Sequence, residues 1–286
     1  MPPPAEPDGM DPAPPAGGTP GAEARPGPGN VRVLFVDDEA YMRRLMTARL
    51  ERLGAQVDLA AGAQECLAYL AHTRPDLIIS DAVMPVLDGF DLCRRLKQDP
   101  LLQSIPFIIL TALARDLRQR SLQAGADDYL SKLENEVTFR LRARLAFRLG
   151  CRRRDRSAAV PAVTGADLLV VSGARAIQAQ VNVHLRWEGV QIRPAQDLPE
   201  ALRLLQAQVP DLLVLDLAYG QEAIMEWILR LRAAPGCADL AILALAARED
   251  ETWLPALEGH IQDRLSKPLD GQEGRHRVNL LLQIIR

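Results

Sequence analysis

The sequence has no Cys-x-x-Cys pair, no membrane-length apolar run and no excess of basic charge. Its four cysteines (Cys66, Cys93, Cys151 and Cys237) are widely spaced. That argues against a thiolate zinc site or a disulfide framework and suits a reducing cytoplasm, the expected location. The longest apolar runs, such as residues 212–217, are strand-length and contain charge, so no membrane span is expected. No basic segment followed by an apolar stretch opens the chain, so no signal peptide is expected. The formal net charge is −3, which gives the whole chain no bulk attraction for nucleic acid. No Gly-rich phosphate loop follows the first predicted strand, which disfavours a nucleotide or flavin enzyme on a flavodoxin-like sheet.

What is present is enough for two domains of ordinary size: 286 residues, 48% hydrophobic and 25% charged. Residues 1–30 are dominated by Pro, Gly and Ala and hold almost no large apolar side chain. They cannot repay the entropy of ordering, so a disordered tail is expected. From Val31 the pattern changes to short apolar strands alternating with helical periodicity. Strands are predicted over 31–36, 56–60, 75–81, 107–110 and up to Lys132, with helices over 41–53, 63–72, 90–97, 115–124 and 134–149. Strict alternation of this kind calls for a parallel sheet covered on both faces.

The chain then repeats. A shift of 135 residues places Leu50 on Leu185, Gly54 on Gly189, Pro75-Asp76 on Pro210-Asp211, Asp81 on Asp216, Pro100 on Pro235 and Ser131-Lys132 on Ser266-Lys267. One fixed offset across the whole unit means two copies of one domain. The expected organisation is a tail (1–30), a first domain (31–149), an Arg-rich linker (150–165) and a second domain (166–286). The fold class is α/β, two doubly wound parallel-sheet domains in tandem.

In a doubly wound sheet, functional groups collect at the carboxyl ends of the strands. Asp37 and Asp38 follow the first strand, Asp81 ends the third, Thr111 ends the fourth and Lys132 ends the fifth. Crowded carboxylates repel one another unless a cation joins them, and a hard, oxygen-seeking ion such as Mg2+ fits. A hydroxyl and an ammonium beside them suit a phosphoryl group placed on Asp81. Taken singly, each residue has a plainer reading: an Asp-Asp pair after a strand is commonly a turn or helix cap.

Residues 35–39 (Phe-Val-Asp-Asp-Glu), 78–85 (Ile-Ile-Ser-Asp-Ala-Val-Met-Pro), Asp88-Gly89, Leu110-Thr-Ala112 and 125–132 (Gly-Ala-Asp-Asp-Tyr-Leu-Ser-Lys) together resemble the CheY-like receiver domain of bacterial response regulators. The resemblance covers residues 31 to about 150. It implies Asp81 as phosphoacceptor and Asp38 as a direct Mg2+ ligand. It further implies Asp37 acting mainly through water, the Val83 carbonyl as a further ligand, and Thr111 and Lys132 on the phosphoryl group. Tyr129 matches the family's aromatic switch. A histidine kinase or phosphotransfer protein would be the phosphate source, and an unidentified protein or a second copy the downstream partner. Two departures stand out. Leu133 replaces the family's proline after the lysine, so a trans bond and a less well placed Lys132 are expected. Val83 and Leu113 are apolar where the family often carries polar residues that position hydrolytic water.

In the second copy the same offset replaces Asp37-Asp38 by Ser172-Gly173, Thr111 by Ala246 and Tyr129 by Arg264, while Asp216 and Lys267 remain. The expectation is a receiver-like fold without phosphotransfer, its aspartate and lysine a simple ion pair, acting as adaptor or dimerisation module. Tandem receivers of this kind resemble those of diguanylate cyclases. No Gly-Gly-Asp-Glu-Phe or Gly-Gly-Glu-Glu-Phe motif occurs here, and Glu200-Ala-Leu202 falls inside a predicted helix. The expected protein is therefore a response regulator without an output domain, with no enzymatic activity beyond phosphorylation and dephosphorylation of Asp81. An alternative rests on Arg140, Arg142, Arg144, Arg148, Arg152, Arg153, Arg154 and Arg156, which could touch nucleic-acid phosphates. A solvated face, or salt bridges to the acidic Glu134-Asn-Glu136 start and a neighbouring subunit, is the favoured reading of that run. The histidines (His72, His184, His260 and His276) show no phosphotransfer setting and are expected at surface or helix positions.

Overall fold

The computed structural model describes residues 31–111, 115–155 and 165–285. The Pro-rich tail, Leu113, Arg156 and most of the expected linker lie outside them.

The first domain runs β1 (Val31–Val36), α1 (Ala40–Glu51), β2 (Ala55–Ala60), α2 (Ala63–Leu70), β3 (Leu77–Asp81), α3 (Gly89–Gln98), β4 (Phe107–Thr111), α4 (Arg115–Gln123), β5 (Asp128–Ser131) and α5 (Glu136–Asp155). Its sheet has the order β2-β1-β3-β4-β5 with every pair parallel. β3 and β4 are buried along their whole length, as continuous apolar strands covered on both faces should be. The order reverses between β1 and β3, so the loops after these strands diverge and leave a crevice at their carboxyl ends.

The second domain repeats this plan with β6 (Ala166–Val171), α6 (Arg175–His184), β7 (Val190–Ala195), α7 (Leu198–Ala207), β8 (Leu212–Asp216), α8 (Gln221–Ala233), β9 (Ala241–Ala246), β10 (Asp263–Ser266) and α9 (Gly271–Ile285). The sheet order is β7-β6-β8-β9-β10, again all parallel. One helix differs: between β9 and β10 lie two 3₁₀ segments, Arg248–Thr252 and Leu254–Leu257. Pro255 removes a backbone donor there, which discourages a continuous α-helix.

The expected linker does not begin at residue 150, because α5 continues to Asp155. Arginine is a good helix former, and the arginines of this last stretch find acceptors. Arg152 bonds the carbonyls of Gln283 and Ile284 at the end of α9. Arg153 pairs with Asp127 at 2.5 Å and Arg154 with Asp76 at 3.1 Å.

α5 also belongs to two cores. Phe139, Ala143, Ala146 and Phe147 pack in the first domain. Val137, Leu141, Leu145 and Leu149, spaced four apart, pack among residues of the second. A helix with two apolar stripes must be covered on two sides, and the second domain is the second cover.

Charges then lock the two domains together. Under the 135-residue shift Asp128 corresponds to Asp263 and Arg142 to Arg277, and these residues cross the interface in opposite senses. Arg277 Nη1 lies 2.7 Å from Asp128 Oδ2, while Arg142 Nε lies 3.6 Å from Asp263 Oδ1. Arg142 is drawn aside by Glu134 and by Glu273, the latter at 2.9 Å. Around them Arg264 donates to the Thr138 hydroxyl at 2.6 Å. Arg140 and Arg144 share Glu258, at 2.5 and 2.8 Å. Arg140, Arg142, Arg144, Arg152, Arg153 and Arg154 are thus paired with carboxylates and carbonyls of both domains of this chain, including Glu134 and Glu136, while Arg148 is exposed.

All four central groups, Arg142, Arg277, Asp128 and Asp263, are buried. Burial alone would push the Asp128 carboxyl up, but Arg277 first, then His276 and Arg142, hold it well below the usual carboxylate range. Replacing Arg277 by Met would leave Asp128 and Asp263 buried with less compensation. A loss of about 3–5 kcal/mol in urea unfolding is expected, and an unchanged midpoint would show that this pairing carries no stability.

Candidate functional site

Three chain segments converge in the crevice of the first sheet. Asp37 is fully buried just after β1, Asp38 beside it is exposed, and Asp81 ends β3. One carboxylate oxygen from each lies within 4.8 Å of the others. Lys132, immediately after β5, places Nζ 2.9 Å from Asp81 Oδ1 and 3.3 Å from Asp37 Oδ2.

Local geometry explains why this sequence builds the cluster. Asp37 accepts the Glu39 amide at 2.9 Å, closing a tight turn that leads into α1. Asp81 Oδ1 accepts the Ala82 amide at 2.9 Å, which fixes its rotamer. Asp88 caps α3 by accepting from Asp91 N at 2.7 Å. Gly89 is required by proximity: a Cβ there would lie 2.1 Å from the Asp81 carbonyl oxygen. The Asp88-Gly89 pair therefore brings the start of α3 hard against the carboxyl end of β3.

The charges do not balance: three carboxylates face one ammonium. Burial is the main reason the Asp81 carboxyl sits above the usual range; Lys132 pulls it back and Asp37 pushes it further up. Burial would depress Lys132, but its bonds to Asp81 and then to Asp37 outweigh that and raise it. An oxygen-only donor set with surplus negative charge fits a hard divalent cation, and no thiolate or imidazole stands among these donors.

Thr111 is buried at the end of β4, in register with Ser131, and its carbonyl accepts the Lys132 amide at 2.7 Å. Val83 lies on the loop after β3 with its side chain 70% exposed. The Lys132–Leu133 bond is trans and Lys267–Pro268 is cis. Both lysines nevertheless reach their aspartates, at 2.9 and 2.8 Å, so the expected poorer placement of Lys132 is not observed.

Tyr129 lies apart from the acidic cluster. It is buried against the second domain, its ring 4.8 Å from the Arg277 guanidinium and stacked at 5.9 Å on His276. His276 is therefore not a bystander: its Nε2 is 3.0 Å from Asp128 Oδ1. Under the 135-residue shift it takes the place of Leu141, an apolar stripe position, and nothing in its local sequence marks a partner across a domain boundary.

The corresponding crevice of the second domain is filled. Ser172 Oγ donates to Asp216 Oδ2 at 2.6 Å and Lys267 lies 2.8 Å from Asp216 Oδ1. Asp250, not singled out in the sequence, lies 3.9 Å from the same lysine. Tyr219 extends over Gly173 and donates to the Gln196 carbonyl at 2.9 Å. The simple ion pair expected there exists, with a serine hydroxyl added where the first domain has a carboxylate.

Two stretches, residues 33–144 and 168–279, match the response regulator receiver domain. The chain belongs to the response regulator receiver family. It is 32% identical over 273 residues to the response regulator PleD of Caulobacter vibrioides, an alignment covering 89% of this chain and 59% of that protein. It is 40% identical over 114 residues to the phosphate regulon transcriptional regulatory protein PhoB of Pseudomonas aeruginosa, covering 39% of this chain and 50% of that one. The match thus spans half to three-fifths of these relatives. Among solved structures it is similar to the receiver domain of a signal transduction histidine kinase from Syntrophus aciditrophicus. That likeness has 36% identity, a TM-score of 0.40, and coverage of 46% of this chain and 99% of that one. No helix among the described residues is long and apolar enough to cross a membrane.

Because burial raises the Asp81 carboxyl, its charge destabilises the fold at neutral pH. Asp81→Asn is therefore expected to raise the melting temperature by about 2–4 °C at pH 7. The gain should disappear as the pH falls through the raised Asp81 value and the wild-type carboxyl takes up its proton. Thermal unfolding at pH 7 and at pH 4 checks both parts, and a destabilised variant at pH 7 would contradict the account.

Proposed function

We propose that the protein is a two-component response regulator in which Asp81 accepts a phosphoryl group from a histidine kinase or phosphotransfer protein. In this reading the second domain reads the result. The observation that carries the proposal is the convergence of Asp37, Asp38, Asp81 and Lys132 at the strand ends of a receiver-family sheet. Asp37, Asp38, Asp81 and the Val83 carbonyl would hold Mg2+, which when bound offsets the charge of the incoming phosphoryl oxygens.

In the transfer, an Asp81 carboxylate oxygen attacks the phosphorus of a phosphohistidine. A P–O bond forms, the P–N bond breaks, and the imidazole leaves with the electron pair and takes a proton from solvent. Lys132, already paired with Asp81, follows the new negative charge, and the Thr111 hydroxyl donates to a phosphoryl oxygen. Val83 offers no polar side chain to guide a hydrolytic water, which favours a long-lived phosphoryl group.

Tyr129 is the proposed switch. Its ring lies against Arg277 and His276, so a change around Thr111 and β5 would be felt first in the second domain. That domain acts as an adaptor, and the altered pair presents a new surface to a downstream protein or to a second copy. The filled crevice around Asp216 supports a partner without phosphotransfer of its own.

Mg2+-dependent labelling with a small phosphodonor tests this reading. Wild type and Asp216→Asn are expected to label and Asp81→Asn to remain unlabelled. Labelling that survives in Asp81→Asn would refute the assignment.

A further inference from the structure

The turn between β1 and α1 carries two of the three clustered carboxylates, and they are held differently. The Asp37 carboxylate has fixed partners, the Glu39 amide and Lys132. The Asp38 carboxylate is exposed and has no hydrogen-bond partner among the described residues, so only its backbone sets its direction.

That backbone is gripped from the helix. Arg43, one turn into α1, donates from Nη1 to the Asp37 carbonyl at 2.6 Å and to the Asp38 carbonyl at 2.9 Å. Both contacts go to main-chain oxygens, so no carboxylate is used up. The guanidinium draws two successive carbonyls toward α1 and fixes both peptide planes of the turn that presents the two acids.

The second copy isolates this role. Under the 135-residue shift Arg43 becomes Gln178, and Gln178 Nε2 donates to the Ser172 carbonyl, the counterpart of the Asp37 carbonyl, at 2.7 Å. The carboxylates have gone there, yet a side-chain donor from the same helical position still holds the turn. Retaining the bond without the charge means that the contact serves the shape of the turn.

We infer that Arg43 is a positioning residue for divalent-cation binding at Asp37, Asp38 and Asp81, acting by bridging the Asp37 and Asp38 carbonyls. The inference rests on the proposed Mg2+-dependent reading of this site. It makes a prediction opposite in sign to simple electrostatics. Removing a positive charge beside a cation site should tighten the cation by Coulomb's law. Removing an outer-shell support should weaken it by about tenfold.

The test is titration of Mg2+ into the unphosphorylated full chain, followed by calorimetry and by amide resonances of the β1–α1 turn. The variants are Arg43→Met, which keeps the aliphatic stem without a donor, and Arg43→Gln, which installs the second copy's solution. Arg43→Met is expected to weaken Mg2+ by about tenfold, and Arg43→Gln to stay within about threefold of wild type because one carbonyl bond is restored. Unchanged or tighter binding in Arg43→Met would overturn the inference. Should that variant not fold, tightening beyond about threefold in Arg43→Gln does the same, since charge then outweighs geometry. Wild type that binds no Mg2+ would instead remove the proposed function beneath it, so the two failures are distinguishable.

Discussion

Two arginines buried across a domain boundary are the constraint on which the rest of this structure depends. Arg142 and Arg277 cannot be buried unless carboxylates meet them, and those carboxylates, Asp128 and Asp263, sit on the fifth strand of either sheet. Each domain brings one arginine and one aspartate, so neither completes the arrangement alone. The apolar second stripe of α5 supplies the area and the crossed pairs supply the register. Hydrophobic contact alone would tolerate sliding of one helix on the other; a buried guanidinium that must meet a particular carboxylate does not. The near-symmetry follows from duplication, since a face that meets its own copy repeats every contact in both senses. It is imperfect because Arg142 has Glu134 and Glu273 competing for it, whereas Arg277 is held most tightly by Asp128.

This interface determines what the acidic cluster can influence. Asp128 and Tyr129 are neighbours on β5, and Lys132 follows three residues later. Arg277 contacts both the Asp128 carboxylate and the Tyr129 carbonyl, the latter at 3.3 Å. A short strand therefore has the lysine of the acidic crevice at one end and the central ion pair of the domain interface at the other. Any rearrangement that pulls Lys132 toward a new charge acts on a strand whose opposite end is fixed to α9.

The strand ends, the sheet class and the tandem repeat could all be read from sequence, because each rests on local pattern: apolar runs closed by Asp, Thr or Lys, and identities at one offset. Gly89 is a good case, marked by a turn signal and then explained by a close approach to the Asp81 carbonyl. What escaped was whatever depends on the two domains facing each other. The linker is expected from residue 150 because Cys-Arg-Arg-Arg-Asp-Arg runs into Ser, Ala and Pro there, whereas Arg152 bonds the end of α9 across the boundary and Arg153 and Arg154 bond Asp127 and Asp76 of the first domain. His276 read as an ordinary helix residue because its partners lie about 150 positions away in the chain. The 3₁₀ segments replacing a helix before β10 were hidden for another reason. Identity at a fixed offset shows common descent and says little about a stretch where the copies share few residues.

The two crevices also differ in how the charge of their aspartates is balanced. In the first domain three carboxylates face one ammonium, an arrangement that costs stability until a cation joins it. In the second, exchanging Asp37 and Asp38 for Ser172 and Gly173 removes the repulsion, and the serine hydroxyl turns a lost charge into a hydrogen bond to Asp216. What remains is a buried carboxylate with a lysine on one oxygen and a hydroxyl on the other. Removing Asp216 would leave Lys267 only the more distant Asp250, at 3.9 Å, so the two members of the pair support each other in the fold. Their pairing is part of the packing of the second domain. The imbalance of charge is therefore greater in the first crevice, where three carboxylates meet one ammonium, than in the second, where Lys267 faces Asp216 at 2.8 Å and Asp250 at 3.9 Å.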